Sequence, residues 1–475
     1  MLNAIRHGLV TVAALIALAL VPAARATGPS LLVGATEDAV RSSDPAVAQR
    51  QMDLIEQAGF RAVRISQVWA PGDTAVSKSD ATIIDNVVAA AKKDGIEVIV
   101  SVLNFGSRTT PLSDTDQADF AAYAASVVKT SGIRHLIVGN EPNLNRYWLP
   151  QFDANGGDAA AAAYETLLAR TYDAVKAASP KVEVIGCALA PRGGDVGGGI
   201  RPTHSPTAFI TDLGADYRAS GRTLPIMDAL SLHPYEDHSS VSPTLGVHPN
   251  TTTIALADYD KLVSLLGQAF DGTAQPGSAL PLYFDEFGVE SQIPPAKQTL
   301  YTGTEPAVTE PVDEATQAAY YREAIQLAFC QPNVRGLFLF HAVDEKALAG
   351  WQSGVYYPDD TPKASLTGVR LAIQQSLGGV IATCPGLALT PKATVVQKGA
   401  VLTVRCTIDC TYVVQLYRAP GKLLASKHGR ALAGRPTTLP VRVPTRVADY
   451  RLRFSAVAPL NPGPAFLLRL RLRPG

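Results

Sequence analysis

The sequence predicts an α/β chain, a (β/α)8 TIM barrel followed by a small C-terminal all-β sandwich. Eight short apolar, β-branched segments recur between residues 31 and 340, helical patterns separate them, and the composition changes near residue 384. Continuous apolar strands that alternate with helices are typical of a parallel sheet buried on both faces, and eight strands close such a sheet into a barrel. A doubly wound open sheet is the alternative arrangement of these units.

The first residues predict a secretory signal peptide, residues 1–26. Arg6 and His7 precede an apolar run of 14 residues, and Ala24-Arg25-Ala26 is a small-x-small cleavage site. A membrane anchor is the alternative, but spanning a bilayer takes roughly 20 apolar residues. The mature chain is therefore expected to be secreted and to have no transmembrane segment.

The barrel is expected to cover residues 27–383. Its predicted strands are 31–33, 62–65, 97–102, 135–138, 182–187, 229–232, 282–284 and 336–340. The first predicted helix begins at Asp44-Pro45, an N-cap followed by proline in the first turn, and ends at Gly59. The second and third end at Gly95 and Gly132, and the remaining predicted helices cover 159–178, 206–220, 256–269, 314–329 and 363–376.

Residues 384–475 have little helical periodicity. Short Val- and Leu-rich runs at 401–405, 413–417, 439–443, 450–454 and 466–472 are separated by Gly and Pro, which is typical of a small β-sandwich. From Pro385 onward there are 15 Lys and Arg against two acidic residues, although the whole chain has a net charge of zero. This basic domain is expected to contact an anionic cell-wall polymer or the acidic barrel, or to be only a solvated face.

Export would place the five cysteines in an oxidising compartment. Cys406 and Cys410 are expected to pair across a strand turn, and Cys330 is expected to pair with Cys384. Cys187 lies in an apolar strand and is expected to be a buried free thiol. A metal site is the alternative, but there is no Cys-x-x-Cys pair and no His at ligand spacing, so no metal or cofactor is expected.

Two glutamates follow apolar strands of the predicted barrel, Glu141 in Asn140-Glu141-Pro142 and Glu286 after Asp285. A buried carboxylate costs free energy unless it is paired. The proline is expected to keep Glu141 extended and directed at the barrel mouth. Because the strand ends share that mouth, the carboxyl groups are expected to converge as the acid and nucleophile of retaining glycoside hydrolysis, about 5 to 5.5 Å apart.

These motifs resemble those of the retaining glycoside hydrolases of clan A, over about residues 31–376. In that clan an Asn-Glu pair ends strand four and a Glu ends strand seven. The segments 140–148 (NEPNLNRYW) and 231–235 (SLHPY) are most similar to glycoside hydrolase family 39, with family 5-like enzymes as the other close resemblance. Gly139 stands where family 39 often has Trp, and Phe340-His341 ends strand eight, where clan enzymes tend to have Trp.

The resemblance implies a role for each residue of the motifs. Glu141 is the acid/base, Glu286 is the nucleophile, and the Asn140 amide bonds the sugar 2-hydroxyl. Arg64, inside the apolar run Val63-Arg64-Ile65, matches the arginine beside the nucleophile. A cation there would keep Glu286 ionised while Glu141 holds its proton.

Five further residues are expected to act on the nucleophile or the substrate. His233 and Tyr235 would orient the nucleophile, and Asn104 and His341 would bind sugar hydroxyl groups. Trp351 would stack on a sugar ring. The other two tryptophans are expected either to line outer subsites or to pack in the core, and they are Trp69 and Trp148.

The leading hypothesis is a secreted retaining O-glycosidase that needs no cofactor and acts on a polysaccharide or oligosaccharide. A non-catalytic glycan-binding protein on a degenerate barrel and a transglycosylase are the alternatives, the latter with the same residues. Metal-dependent hydrolysis through Asp344, Glu345 and His341 is a further alternative. No nucleic-acid partner is expected, because export removes that partner and no motif supports it.

Overall fold

The computed structural model describes residues 28–378 and, beyond them, residues 392–396, 399–404, 410–418, 421–431, 437–442, 450–458 and 461–472. The expected signal peptide lies outside the described residues, as do Cys384 and Cys406, so export and both disulfides stay predictions. Cys187 is buried and free, as predicted. Within the described part, no helix is both long enough and apolar enough to cross a bilayer.

Eight parallel strands form a closed barrel in chain order, and β1 pairs with both β2 and β8. Closure confirms the (β/α)8 fold and excludes the open sheet. All eight predicted strands are present, and several extend further at their C-terminal ends. They are β1 (Leu32–Thr36), β2 (Ala62–Trp69), β3 (Glu97–Asn104), β4 (His135–Val138), β5 (Glu183–Leu189), β6 (Ala229–Leu232), β7 (Leu282–Phe287) and β8 (Val334–Phe340).

Eight α-helices in the described part alternate with the strands as predicted. They are α1 (Pro45–Gln57), α2 (Lys78–Asp94), α3 (Asp114–Ser131), α4 (Ala159–Ala178), α5 (Pro206–Ala219), α6 (Tyr259–Phe270), α7 (Glu314–Cys330) and α8 (Ser365–Leu377). The predicted helix 256–269 begins instead as a 3-10 turn, Leu256–Asp258. Side chains accept backbone N–H groups at six helix starts, which satisfies otherwise unpaired donors; they are Asp44, Ser77, Ser113, Asp158, Ser205 and Asp313.

The barrel interior is filled by side chains, so it is a core and not a pore. Buried residues from seven consecutive strands, β2 to β8, pack there: Ala62, Ile99, Ile137, Ile185, Ala188, Ala229, Tyr283 and Phe338. A Cβ atom on Gly34 would stand 2.5 Å from the Phe338 ring, so glycine is required to admit that ring. Because these side chains fill the interior, the space for a ligand lies at the C-terminal ends of the strands.

Two bulges interrupt the barrel ladder near its C-terminal end. In the first, β5 has one residue more than the facing stretch of β6, between Gly186 and Leu189. In the second, β7 has one residue more than the facing stretch of β8, between Phe284 and Phe287. An extra residue changes the direction of the side chains beyond it. The second bulge allows consecutive residues of β7 to face the barrel mouth.

The described segments of the C-terminal region form β-strands, as predicted. A three-stranded antiparallel sheet has the order β13-β10-β9, and a four-stranded antiparallel sheet has the order β12-β11-β14-β15. The strands are β9 (Lys392–Val396), β10 (Gly399–Val404), β11 (Cys410–Arg418), β12 (Lys422–Ala431), β13 (Thr437–Arg442), β14 (Tyr450–Ala458) and β15 (Asn461–Leu472). Two small sheets fit the predicted sandwich, while the exact domain boundaries stay predictions.

Candidate active site

Glu141 and Glu286 meet at the C-terminal mouth of the barrel. One carboxylate oxygen of each, together with a ring nitrogen of His233, lies within 4.8 Å of the other two. The side chain of Glu141 is 14% exposed and that of Glu286 is 11% exposed. Two nearly buried carboxyl groups therefore approach each other closely at the mouth, which is compatible with the separation of about 5 Å in a retaining glycosidase pair.

The backbone of Glu141 is not extended, so the expectation drawn from Pro142 is wrong. Strand β4 ends at Val138, and Glu141 has φ = 42°, in the left-handed region. Its N–H donates to the carbonyl of Ala188 on β5 at 2.8 Å. Such a conformation costs about 1 to 3 kcal/mol in a residue other than glycine, and it persists only where the surrounding structure holds it.

Arg64 on β2 lies beside the predicted nucleophile. Its Nη1 is 3.4 Å from Glu286 Oε1, and its Nε is 3.5 Å from Asp285 Oδ2. Its Nη2 donates to Asn140 Oδ1 at 3.3 Å. The guanidinium is 3% exposed, so it contributes a buried positive charge between two carboxylates.

His233 and Tyr235, just after β6, contact both glutamates. His233 Nδ1 is 2.9 Å from Glu141 Oε1 and 3.4 Å from Glu286 Oε2. Tyr235 donates its hydroxyl to Glu286 Oε2 at 3.0 Å. The segment after β6 therefore bridges the two carboxyl groups, a wider role than orienting the nucleophile alone.

Asp285 belongs to the site but was missed in the sequence. It is fully buried, and its Oδ1 lies 3.2 Å from His233 Nε2 and also accepts a hydrogen bond from Ser231 Oγ. Alternation along a strand would direct Asp285 away from Glu286, but the β7 bulge brings both to the mouth. The available signal was two adjacent acidic residues ending an apolar strand.

Burial and charge act in opposite directions on these groups. Burial disfavours the charged imidazole, yet Glu286 and Asp285 raise the pKa of His233 well above its usual 6.5. Burial also opposes ionisation of Asp285, but His233 and Arg64 hold its pKa below the usual range. Burial raises the pKa of Glu286, with Glu141 and Asp285 adding to the rise and His233 and Arg64 opposing it. Two cations thus face three carboxyl groups.

Two cavities meet at this cluster. One of about 920 Å³ is lined by Arg64, Asn140, Glu286 and His341, and the other, of about 450 Å³, lies towards Arg192 and Glu290. The residues lining both are Glu141, Tyr235, Ala349, Gly350 and Trp351. Glu141 therefore faces both spaces, whereas Glu286 faces only the larger.

An aromatic wall separates the cavities. The Trp351 and Tyr235 rings are stacked with centroids 4.7 Å apart, and Phe340 packs edge-on against both rings. The loop that carries Trp351 is anchored by a buried ion pair, in which Lys363 Nζ lies 2.7 Å from Asp344 Oδ2 and donates to the Gln352 carbonyl at 3.0 Å. Trp351 is thus a fixed surface, as stacking requires.

The structure does not bring every expected residue to the cavities. The Asn104 amide donates to the carbonyls of Gly106 and Tyr147, both at 2.8 Å, so it anchors a loop and its expected hydroxyl-binding role has no support. His341 does line the larger cavity, with Nδ1 2.7 Å from the Thr36 carbonyl. Trp69 and Trp148 are core residues, 0% and 1% exposed.

Glu141, His233 and Glu286 are also the one set of three or more potential metal ligands that the described residues bring together. A ligating imidazole must be neutral, whereas the raised pKa of His233 favours the cation. Asp344, from the metal-dependent alternative, is already paired with Lys363. The arrangement therefore suits proton transfer and nucleophilic attack better than metal binding.

No protein-family model and no curated protein matches the chain. Solved structures do. A β-xylosidase from Caulobacter crescentus is 16% identical over 88% of this chain and 96% of its own, with a TM-score of 0.46. GH5_18 from Streptomyces cattleya, in complex with Manβ1-4GlcNAc, is 14% identical over 73% of this chain and 80% of its own, with a TM-score of 0.49.

A β-glucuronidase from Bacteroides uniformis is 14% identical over 94% of this chain, with a TM-score of 0.47, and the match covers 46% of that larger protein. This chain therefore spans less than half the length of the β-glucuronidases it matches. Similarity at this level extends to no particular residue and carries no inference about activity.

Proposed function

We propose that this protein is a secreted glycoside hydrolase that cleaves O-glycosidic bonds of a polysaccharide or oligosaccharide with retention of anomeric configuration. The observation that supports it is the pair of carboxyl groups within 4.8 Å at the mouth of a closed parallel barrel, with Arg64 contacting Glu286. Catalytic residues of such barrels come from the C-terminal strand ends, and retention requires this short separation.

In the first step Glu286 attacks the anomeric carbon, and the bond from that carbon to the leaving oxygen breaks. Glu141 gives its proton to the leaving oxygen, so an alcohol departs and a glycosyl ester remains on Glu286. His233 Nδ1 contacts Glu141 Oε1, which leaves Oε2 as the oxygen that carries the proton. Arg64 and Tyr235 hold the attacking carboxylate.

In the second step water attacks the same carbon from the face that the leaving group vacated. Glu141 accepts a proton from the water, and the ester bond breaks to regenerate the Glu286 carboxylate. His233 Nδ1 lies 2.9 Å from Glu141 Oε1 and 3.4 Å from Glu286 Oε2. It therefore contacts both the group that exchanges the proton and the group that carries the ester.

The two cavities suggest which part of the substrate lies where. The sugar that becomes bonded to Glu286 occupies the larger cavity, which Glu286 lines, and the leaving group extends into the smaller one, which Glu141 also faces. Arg64 donates a hydrogen bond to Asn140 Oδ1, so the side-chain nitrogen of Asn140 is the group that donates to a sugar hydroxyl group. Trp351 offers an aromatic face at the boundary.

For the basic C-terminal domain we propose an anionic polysaccharide as partner. Arg451 and Arg453 are exposed on β14 and lie directly opposite Arg471 and Arg469 of β15. Residues two apart on a strand share one face, so Arg451 and Arg453 present two cations side by side to solvent. Replacing Arg451 and Arg453 with Gln should weaken salt-sensitive binding of the full chain to polygalacturonate; undiminished binding contradicts the idea.

The activity is tested by incubating the full chain with a panel of aryl glycosides and polysaccharides, using Glu286→Gln as the blank. Proton NMR of the first product should show the anomeric configuration of the substrate. Inversion, or no release over the whole panel, contradicts the proposal. Transfer to added sugar acceptors in preference to water would identify a transglycosylase.

A further inference from the structure

The backbone around Glu141 is irregular on two adjacent strands. Gly139 and Glu141, after β4, have φ of 84° and 42°, and Cys187 and Ala188, in the β5 bulge, have φ of 82° and 47°. The regular β4–β5 pairing ends at Ile137 opposite Ile185. Backbone polar groups beyond that point are buried and need other partners.

Tyr164 of α4 provides two of those partners. Its hydroxyl donates to the carbonyl of Val138 at 2.6 Å and accepts the N–H of Cys187 at 2.6 Å. The residue is fully buried, and burial raises the pKa of its phenol well above 10, so the donated proton stays in place. One hydroxyl therefore joins the end of β4 to the bulge of β5.

Gly139 packs closely against the ring of the same tyrosine. A Cβ atom there would lie 3.3 Å from Tyr164 Cε2, and the positive φ already disfavours a side chain. The left-handed backbone therefore favours glycine before Asn140-Glu141, and the close Tyr164 ring adds to that preference. This accounts in physical terms for glycine at the position where glycoside hydrolase family 39 often has tryptophan.

We propose that Tyr164 is a positioning residue for Glu141, and this inference rests on the proposed function. Tyr164 holds the Cys187 N–H, the bulge turns the next carbonyl, of Ala188, towards β4, and that carbonyl accepts the Glu141 N–H at 2.8 Å. The strained backbone of Glu141 is therefore held through β5. Glu286 and its contacts with Arg64 and Tyr235 lie outside this connection.

The test is Tyr164→Phe, which removes only the hydroxyl. Misplacing an acid that acts on the leaving oxygen should slow cleavage of glycosides with poor leaving groups by about tenfold or more, since general acid catalysis contributes 10²–10⁴-fold. Cleavage of dinitrophenyl glycosides, whose leaving group needs no proton, should change much less in the glycosylation step. Equal losses on both substrates, or no loss, would overturn the inference.

Tyr217→Phe is the matched control. Tyr217 is also a buried tyrosine on a barrel helix, and its hydroxyl donates to the Leu224 carbonyl at 3.0 Å, outside the active site. It should lose stability without any dependence on the leaving group. If Tyr164→Phe does not fold, Gly139→Ala strains the same connection from the β4 side, through the left-handed backbone and the 3.3 Å approach to the ring, and should give the same pattern. Unchanged kinetics in that variant would count against Tyr164.

Crystal structures of the wild type and Tyr164→Phe separate this inference from the proposed function. In the variant the contacts of Glu141 with Ala188 and His233 should lengthen, while the contact between Arg64 and Glu286 stays. An unmoved Glu141 overturns the positioning role whether or not the protein cleaves glycosides. A wild type inactive on every glycoside overturns the proposed function, while a displaced Glu141 still supports the positioning role.

Discussion

Both ends of the barrel place a histidine among carboxylates, with a tyrosine beside them. At the N-terminal end, His135 of β4 lies 2.9 Å from Glu97 and 2.8 Å from Glu183, and Tyr283 donates to Glu183 at 2.7 Å. At the C-terminal end, His233 lies among Glu141, Asp285 and Glu286, and Tyr235 donates to Glu286. The chemical groups are alike, but their electrostatic balance differs.

At the N-terminal end the ionised forms are stabilised. A hydrogen bond from His135 lowers the pKa of Glu97, and the bonds from His135 and Tyr283 lower the pKa of Glu183 although burial opposes this. At the C-terminal end burial raises the pKa of Glu286. A lowered carboxyl pKa adds to stability at neutral pH and a raised one subtracts from it. Both glutamates of the first cluster therefore add to stability at neutral pH, whereas in the second cluster Asp285 adds to it and Glu286 subtracts from it.

The sharpest test of this contrast is the matched pair Glu286→Gln and Glu183→Gln. Loss of a nucleophile should lower kcat by roughly 10³-fold or more. Glu183→Gln should leave kcat unchanged and lower the midpoint of urea unfolding, because it removes a partner of His135 and Tyr283. Equal effects of the two changes on kcat would break the distinction between the two ends.

Stability should depend on His135 at alkaline pH. Its contacts with Glu183 and Glu97 raise its pKa from 6.5 to about 9, against burial. The stabilisation is therefore complete below pH 6.5 and is lost as the pH rises through about 9. The shift corresponds to about 3 kcal/mol. Urea unfolding at both pH values measures the loss, and His135→Gln should flatten the dependence; an equal slope in that variant contradicts it.

The two tyrosines offer a smaller test of the same kind. Tyr235→Phe removes a hydrogen bond to the nucleophile and should lower kcat by roughly 10-fold to 100-fold, the range for a charge-assisted bond. Tyr283→Phe removes the equivalent bond to Glu183 and should cost about 1 to 2 kcal/mol of unfolding free energy with kcat intact. Kinetics and urea titrations on both variants check this, and a kcat loss in Tyr283→Phe would contradict it.

The sequence predicted the fold well because local signals and tertiary packing agree. Apolar, β-branched runs marked all eight strands, and the Asp44-Pro45 cap marked the start of the first helix. The convergence of Glu141, Glu286, Arg64 and His233 also followed, since strand order determines which ends share the barrel mouth.

The errors lie where the backbone departs from regular geometry. The preference of a residue before proline for extended dihedrals is weaker than the constraint from Gly139 and Ala188, so Glu141 took the left-handed conformation. A bulge turned Asp285 into the site, and bulges leave no clear sequence signal. Asn104 ends a strand as a binding residue would, but nearby loop carbonyls use its amide.

As the pH falls, activity at the C-terminal end of the barrel should be lost before the stabilisation at the N-terminal end. Glu286 must be ionised to attack, so kcat/KM should fall as the pH drops through a pKa raised above the ordinary 4.5. The N-terminal glutamates have lowered pKa values, so their stabilisation is lost only below that value. Activity should therefore vanish reversibly at a pH where circular dichroism still shows a folded barrel. Arg64→Gln removes a cation that opposes the rise in the pKa of Glu286, so the acid limb of the kcat/KM profile should move to higher pH. An acid limb that stays in place would show that Arg64 does not set the charge of Glu286.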